Sequence, residues 1–484
     1  MRCVTMALTL LISPSLCAPC SYTVPAGSTG LSAARAYLSE ELLARNSTLH
    51  ADLVMCLSPG VHSVALSPHA LTAAHSVRGG RGRVVWRGGG LAAISGGLQV
   101  AGWAPATLGG GAVFSAPVPA PLIASGAVVR QLWVQGARAA RTRVAGSALG
   151  KCEPWAAAGG GAGLACASVP DGWQRNSTRA IEFVWPEVVR NWIAPRCTVA
   201  AVAGGNISLA APCGAFLAAR WGKPPAAPVS VEAAPAFPLP AGVFWHDLDA
   251  GVLYYALAAN QSAADLEADA WVAAQEVLAS LEGASGHAFE AVNFTYGAWA
   301  QANSGDGFVD DQAAVFACSA ANTPFCEGGG AIAARGGGGG GAGAGAGAAG
   351  SAEPRGNVRV SGGAGVAFEG CAFSHMGAAY ALSVMGGAKD PVVRGCVFED
   401  LSGGFLKLGS VTTAQNGGND TSMWDSGASV TYNWAANMAL EYGGACVIDA
   451  PSPSTHTFSP SLTFPSPATP RGRKQVRLLW RLPL

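Results

Sequence analysis

Polar side chains at matching positions of a repeated phrase are the residues of this chain best suited to chemistry. Two copies of the phrase, aligned on their final phenylalanine, bring His375 and Asp400 to the same position. An earlier copy places Tyr296 there, and a later copy places Asn437 there. If the copies stack as neighbouring strands, these four side chains form one column at a spacing of about 4.8 Å. The pattern therefore predicts that His375 lies beside Asp400.

A carboxylate beside an imidazole, in loops that follow strands, is suited to acting on sugars. Glycoside hydrolysis generally uses one protonated and one ionised carboxyl group. Asp400 is the candidate for one of them, with His375 tuning its proton affinity. Glu399 precedes it in the chain, and Glu441 or Asp425 is the candidate for the second carboxyl group. We therefore predict Asp400, His375 and Glu399 as catalytic residues.

Aromatic and polar side chains around the column are the candidates for substrate binding. The predicted substrate-binding residues are Tyr296, Asn437, Glu441 and Trp299. Aromatic rings with a polar edge suit stacking against sugars, although they pack equally well in cores. Polar columns in stacked strands also form ladders that satisfy the backbone of turns. A structural role for the column therefore stays open beside the functional one.

The repeated phrase reads apolar-x-Gly-Cys-x-Phe and recurs after twenty-five residues. Its clearest copies end at Phe373 and Phe398, and degenerate copies begin at Phe289 and Val430. A repeat of this length, made of two short strands around a small residue, is typical of a solenoid. The expected core columns are Phe368 over Val393, Cys371 over Cys396 and Phe373 over Phe398.

The composition excludes several classes of protein. Half of the 484 residues are hydrophobic, 12% are charged and the formal net charge is zero. These values exclude a disordered polyelectrolyte and give no sign of nucleic acid or an anionic membrane surface as the main partner. The 66 glycines and 30 prolines favour a turn-rich β architecture. Phosphate-loop, dinucleotide and zinc-ligand spacings are all missing, so no cofactor or metal is predicted.

The N-terminus predicts secretion. Arg2 precedes an apolar run that is too short to span a bilayer, and small residues follow at positions 15–18. We predict a signal peptide at residues 1–18, with a buried first strand as the alternative, and no integral membrane segment. The predicted N-glycosylation sites are Asn46, Asn176, Asn206, Asn260, Asn293 and Asn419.

The 13 cysteines fit an oxidising compartment. Three pairs lie close enough in sequence for short-loop disulfides: Cys152 with Cys166, Cys197 with Cys213, and Cys318 with Cys326. Parallel side-chain directions make a bridge between stacked coils awkward. We therefore predict that Cys371 and Cys396 are packed thiols.

The chain divides into segments of different character. Leu31–Arg45 places apolar residues on one helical face and is predicted to cap the solenoid. A second short helix is predicted at Trp271–Leu281. The predicted organisation is a signal peptide at 1–18, N-terminal coils with the cap at 23–129, an inserted or elaborated β region at 130–288, a coil at 289–326, a Gly/Ala-rich flexible insertion at 327–356, coils at 357–448 and a disordered Pro/Ser/Thr-rich tail at 449–484.

Short segments in a fixed order carry a resemblance to a known family. They are Leu57–His62, Ile94–Trp103, Leu132–Arg141, Glu182–Trp185, Trp192–Cys197 and Phe244–Tyr255, followed by the coils. From about Thr23 to Ile448 the chain resembles secreted proteins with the pectin-lyase-like fold, some of which are glycoside hydrolases of the α-fucosidase and xylanase-like type. The resemblance implies an all-β fold, a right-handed parallel β-helix of the single-stranded solenoid type with an N-terminal capping helix and an inserted β region.

The resemblance implies a secreted carbohydrate-active protein, similar to glycoside hydrolases, that acts on cell-wall or extracellular polysaccharide. The chain leaves the family's pattern at about Asp449, before the coils in or near which the family's catalytic carboxylates lie. An active hydrolase and a truncated, inactive one therefore both agree with it. The alternative is a non-catalytic glycan-binding or structural cell-surface protein on the same scaffold. A polysaccharide lyase would need a calcium site and a basic residue, and no basic partner is evident beside the aspartates at 306, 310 and 311.

Overall fold

Strands dominate the protein and form both parallel and antiparallel sheets. The computed structural model describes residues 19–156, 162–170, 172–173, 178–185, 194–210, 213–214, 227–305, 307–308, 316–317, 351–352, 354–409, 424–443, 448–449 and 457–458. The helices among them are Gly30–Ala44, Ala120–Ser125 and Ala263–Ala268, with short 3-10 turns at Ala73–His75, Gly146–Leu149, Thr178–Ala180 and Gln301–Asn303. The prediction of an all-β protein is confirmed.

Three parallel sheets, here named A, B and C, receive the chain in turn. One coil contributes a strand to sheet A, then to B, then to C, before the chain returns to A. The strands of sheet A are Tyr22–Val24, Leu53–Leu57, Val84–Arg87, His287–Glu290, Ala367–Glu369, Val392–Arg394, Ser429–Thr431 and Thr457–Phe458. The strands of sheet B are Gly60–Ser63, Ala92–Ser95, Asn293–Gly297, Ala372–Met376, Val397–Leu401 and Trp434–Ala436. The strands of sheet C are His69–Thr72, Ala279–Glu282, Gly356–Ser361, Tyr380–Met385, Gly404–Leu408 and Ile448–Asp449.

Apolar columns inside the coils set the register of these strands. Phe373 pairs with Phe398 across sheet B, and their rings stack with centroids 4.7 Å apart. Phe368 pairs with Val393 across sheet A. A shift of one residue would turn every inward side chain outward, so the buried columns fix the alignment. The predicted stacking of the repeated phrase is confirmed.

Four of the coils turn at two corners through a residue with left-handed backbone. Between sheets A and B these residues are Ala291, Gly370, Gly395 and Tyr432, with φ from 50° to 63°. Between sheets B and C they are Tyr296, His375, Asp400 and Asn437, with φ from 49° to 57°. Glycine adopts this conformation freely, and Asn and Asp tolerate it, whereas other side chains are strained. Strained residues therefore stand at both corners, Ala291 and Tyr432 at the first and Tyr296 and His375 at the second, and these four coils have glycine only at the first corner.

The helix Gly30–Ala44 covers part of the coil interior, as the sequence predicts. Its buried face consists of Leu31, Ala34, Leu38 and Leu42 together with Gly30. The four larger side chains belong to the same hydrophobic core as Leu53, Val84 and the phenylalanine columns. Burial of this apolar face, rather than the modest amphipathic pattern of the segment, holds the helix in place.

A long antiparallel region, here called the excursion, interrupts the second coil at residues 97–274. The chain leaves after the strand Ala92–Ser95, and the Gln275 N–H donates to the Gly96 carbonyl at 3.0 Å where it returns. Residues 130–288 were predicted for this region, but its first strands begin earlier and its last residues already belong to sheets C and A. The predicted helix at Trp271–Leu281 is wrong, because strand pairing of Ala270–Ala273 and Ala279–Glu282 overrides local helical preference.

The excursion forms three antiparallel-rich sheets, here named D, E and F. Sheet D consists of Ala137–Arg138, Leu132–Val134, Ala270–Ala273 and Gly97–Gln99. Sheet E consists of Ala104–Leu108, Gly111–Pro117, Val252–Tyr255, Val243–Asp247 and Ala140–Arg141. Sheet F consists of Arg143–Ala145, Ser230–Glu232, Glu182–Val184, Arg196–Ala203, Asn206–Leu209, Ala162–Cys166 and Cys152–Ala156. Two short pairs, Thr48–Leu49 with Gly79–Gly80 and Phe316–Ala317 with Ser351–Ala352, complete the strands.

Three disulfides join described cysteines, two of which were predicted. The predicted bridges are Cys152–Cys166 and Cys197–Cys213, and the third joins Cys20 to Cys56. Cys371 and Cys396 are free and buried, so the prediction of packed thiols is confirmed. The predicted pair at positions 318 and 326 lies outside the described residues.

The other predicted surface features are only partly described. Asn46 and Asn260 are exposed, and Asn206 is half-buried. Asn293 is also half-buried, and its Nδ2 donates to the Gly90 carbonyl at 3.1 Å, which occupies the nitrogen that a glycan would modify. The sequons at 176 and 419, the predicted signal peptide, the Gly/Ala-rich run to residue 350 and nearly all of the tail lie outside the described residues. No helix in the described part of the chain is both long and apolar enough to cross a membrane.

We expect Phe398→Ala to destabilise the protein by about 3–5 kcal/mol, because it empties a fully buried position in the phenylalanine column. The neighbouring Val397→Ala is the matched control, since Val397 points outward and is 40% exposed. It should cost less than about 1 kcal/mol. Urea denaturation of both variants measures the difference, and equal losses would show that the column does not carry the fold.

Acid should destabilise the coils through the buried His69. Its ring contacts Trp86 and Phe289, and neither ring nitrogen has a partner among the described residues. Burial, with a smaller contribution from the nearby charge of Arg35, lowers the pKa of His69 from 6.5 to about 3. At acidic pH the unfolded chain therefore binds a proton at His69 that the folded chain does not bind. Stability is lost as pH falls below 6.5, by about 3 kcal/mol at pH 4.

His69→Phe should remove about that much of the acid-dependent loss of stability, and thermal melts between pH 7 and pH 4 measure it. His287, whose pKa burial lowers to about 4, remains in the variant and keeps part of the loss. The exposed His50→Phe is the control and should leave the pH dependence unchanged. An unchanged acid limb in His69→Phe would contradict the assignment.

Candidate functional site

The coils bring the predicted column together at the corner between sheets B and C. The rings of Tyr296 and His375 stack with centroids 5.0 Å apart. His375 Nδ1 lies 2.8 Å from Asp400 Oδ2. Each of these side chains sits at the same position of its coil, because the strands that contain them pair in register. The column is therefore a continuous row of two rings and a carboxylate.

A second row of side chains, from sheet D of the excursion, lies against this column. Arg138 is paired with Trp133, and Trp133 with Trp271, across neighbouring strands. Each member meets one coil. Arg138 Nε donates to Asp400 Oδ1 at 2.8 Å. The Trp133 ring lies 5.4 Å from that of His375 and the Trp271 ring stacks 5.5 Å from that of Tyr296.

Asp400 is held as an anion by three donors. Arg138 Nε binds Oδ1, while Trp133 Nε1, at 2.6 Å, and His375 Nδ1 both bind Oδ2. Burial opposes ionisation, but the hydrogen bond with His375 and the charge of Arg138 outweigh it and lower the pKa of Asp400 to about 2. This carboxylate is therefore ionised at neutral pH and cannot act as the protonated acid of a hydrolase.

Buried ion pairs continue behind the column into the excursion. The arginines of these ion pairs are Arg130, Arg138, Arg141 and Arg196. Their carboxylate partners are Glu182, Glu232, Asp400 and Glu441. Glu182 is fully buried, and the charges of its arginine neighbours outweigh that burial and lower its pKa. Arg196 Nη1 lies 2.5 Å from Glu232 Oε2. Four positive groups face four negative ones, so the formal charges of this set balance.

Glu441, predicted both as a second carboxyl group and as a substrate ligand, is enclosed by this network. Its oxygens accept from Gln131 Nε2 at 2.8 Å, from Arg138 Nη1 at 2.9 Å and from Ser402 Oγ at 3.0 Å, and Arg130 adds a fourth donor. Burial opposes ionisation, but the charges of the surrounding arginines outweigh it and lower the pKa of Glu441 to about 2. These hydrogen bonds occupy the Glu441 carboxylate and join the excursion to the coils.

The other predicted site residues lie at different places. Trp299 is 4% exposed and packs edge-on against Phe308 and Tyr442, in a small core rather than on a surface. Asn437 extends the column beyond Asp400 and is exposed. Glu399 is also exposed, and its Oε1 accepts from Asn437 Nδ2 at 3.5 Å. Those two side chains therefore form the open end of the column.

Asp425 lies away from the column. Its Oδ1 accepts the N–H groups of Gly387 and Ala388, in the turn that leads from sheet C back to sheet A. Burial outweighs these hydrogen bonds and raises its pKa to about 6. Asp425 has the proton affinity of an acid but stands at the wrong corner to share a ligand with Asp400. No group of three or more His, Cys, Asp or Glu side chains is placed to hold a metal in the part of the chain that the structure describes.

Sequence reasoning missed the residues that the excursion adds to the site. Trp133, Arg138 and Trp271 touch the column, although Trp133 is separated from Asp400 by 267 positions. One signal pointed to this strand region. Three arginines within 138–143 stand in a stretch of apolar residues, in a chain with only 12% charged residues. Charges in such a stretch usually have buried partners.

The comparisons with known proteins concern the fold. No protein-family model and no curated protein matches the chain. Among solved structures, the chain is similar to one described as a glycoside hydrolase, with a TM-score of 0.64 and 19% identity over 89% of this chain and 75% of that chain. The fold is glycoside hydrolase-like. A structure described as the complex of XylC with xylose aligns at a TM-score of 0.34 and 7% identity, over 85% of this chain and 53% of that chain, and carries no argument.

Removing Arg138 should loosen this glycoside hydrolase-like fold where the excursion meets the coils. We expect Arg138→Met to cost about 3 kcal/mol or more, because Asp400 and Glu441 each lose a donor in a buried setting. Arg394→Met is the control, since Arg394 is mostly exposed and, among the described residues, forms an ion pair only with Glu369. It should cost less than about 1 kcal/mol. Urea denaturation at pH 7 compares the free energies of unfolding of the two variants. A small decrease in both would show that the ion pairs of Arg138 do not hold the excursion against the coils.

Proposed function

We propose that this protein is a secreted, carbohydrate-active right-handed parallel β-helix protein, similar to glycoside hydrolases, that acts on cell-wall or extracellular polysaccharide. The observation that carries the proposal is the ionised Asp400 at the end of a row of aromatic rings, in a corner that is still partly open. Aromatic rings beside a carboxylate match the apolar faces and hydroxyl groups of sugars. The three disulfides are consistent with the secreted location.

A non-catalytic glycan-binding protein is the second candidate, and one observation favours it. Hydrolysis of a glycosidic bond needs a protonated acid near the ionised carboxylate. Among the described carboxyl groups around Asp400, Glu182, Glu232 and Glu441 all have lowered pKa values and are ionised at neutral pH. These three described carboxyl groups therefore supply no protonated acid beside Asp400.

Turnover assays on the full chain separate the two candidates. The panel consists of fucosylated xyloglucan, xylan and polygalacturonate, with release of reducing ends as the readout and calorimetry for binding. We expect Asp400→Asn to lower turnover by at least 100-fold if the carboxylate takes part in chemistry, because such groups commonly contribute that much. Binding without turnover in both proteins would support the second candidate.

The exposed Glu399→Gln is the matched control beside it and should leave the fold unchanged. If neither the wild type nor Asp400→Asn binds or cleaves any polymer of the panel, the proposed function is wrong. If Asp400→Asn retains full turnover, the reaction does not use the column.

A further inference from the structure

The two nitrogens of the His375 ring have different surroundings. Nδ1 lies 2.8 Å from Asp400 Oδ2. Nε2 has no hydrogen-bond partner among the described residues. It is also not fully buried. The side chain is 18% exposed. Nε2 is therefore at least partly accessible to solvent.

Asp400 has the opposite character. Its two oxygens already accept from Arg138, Trp133 and His375, all within 2.6–2.8 Å. Because the carboxylate is ionised, it can only accept, so His375 in its neutral form must place its proton on Nδ1. The lone pair of the ring then lies on Nε2. Asp400 thus decides which nitrogen of His375 faces the ligand as an acceptor.

We infer that His375 is the residue that meets the ligand, accepting a hydrogen bond at Nε2 from a sugar hydroxyl group, and that Asp400 is a positioning residue that fixes the tautomer. The inference rests on the proposed function, since it takes a glycan as the ligand. It deepens that function by exchanging the roles expected from the sequence, where His375 was to tune a catalytic Asp400. The ligand chemistry that it selects is a hydroxyl donor.

The ring is also fixed in orientation before any ligand arrives. Tyr296 stacks on it with an interplanar angle of 21°, and Trp133 contacts it at a tilt of 48°. The hydrogen bond to Asp400 adds a third restraint in the ring plane. A preorganised acceptor loses little entropy on binding. The backbone at His375 is left-handed and therefore strained, and the ring is held in this orientation despite that strain.

His375→Asn tests the inference with little risk to the fold. An asparagine amide can donate to Asp400 from about the position of Nδ1, and asparagine tolerates left-handed backbone. It has no group at the position of Nε2. We expect the melting temperature to stay the same or rise, while the dissociation constant for the polymer of the panel that binds best increases about tenfold, the effect of one lost hydrogen bond.

Asp400→Asn tests the positioning role through a readout that a merely structural role would not move. The asparagine amide can donate to Nδ1, which would drive the ring proton to Nε2 and turn the acceptor into a donor. Long-range proton–nitrogen NMR of labelled full-length protein should show the proton on Nδ1 in the wild type and on Nε2 in the variant. Polymer binding should weaken as much as in His375→Asn.

His50→Asn, an exposed histidine outside the column, is the control and should bind as the wild type does. If His375→Asn binds as tightly as the wild type, or if the wild-type ring carries its proton on Nε2, the inference is wrong and the proposed function stands. If the wild type binds none of the three polymers, the proposed function fails and takes the inference with it.

Discussion

The match between two strand spacings is the constraint on which the site depends. Neighbouring strands lie about 4.8 Å apart in any sheet. The column of the coils and the row from sheet D therefore advance by the same step, and three contacts form together. Arg138 meets Asp400, Trp133 meets His375, and Trp271 meets Tyr296. A slip of one strand in either sheet would break all three contacts, so the site exists only when coils and excursion are both folded.

Charge balance explains how such a polar seam can be buried. An unpaired ion in this setting would cost several kcal/mol, but each arginine here faces carboxylates at hydrogen-bonding distance. Buried ion pairs of this kind add little net stability compared with apolar packing, and their geometry favours one arrangement over others. The seam between the excursion and the coils is therefore better understood as a device that sets position. The apolar columns inside the coils supply the burial that stabilises the fold.

The repeated coils could be predicted from the sequence, whereas contacts between residues that are distant in the chain could not. The phrase that ends at Phe373 and Phe398 is local and periodic, so the coil register and the His375–Asp400 contact followed from it. The strand at Leu132–Val134 pairs with Ala270–Ala273, more than a hundred residues away, and no periodicity marks that pairing. The helical pattern at Trp271–Leu281 was misleading for the same reason, because long-range pairing decided the conformation. Local signals could not indicate that Trp133 and Arg138 would hold Asp400.

The two corners of the coil show why the site is placed at only one of them. Both use left-handed backbone, and the corner between sheets A and B has Ala291, Gly370, Gly395 and Tyr432 at these positions. The corner between sheets B and C has Tyr296, His375 and Asp400, and each of these three contacts a side chain of sheet D. Contacts from Trp133 and Trp271 offset part of the strain of the tyrosine and the histidine. The excursion thus makes a chemically useful but strained corner stable enough to persist, and a coil without it would be more stable with glycine or asparagine at these positions.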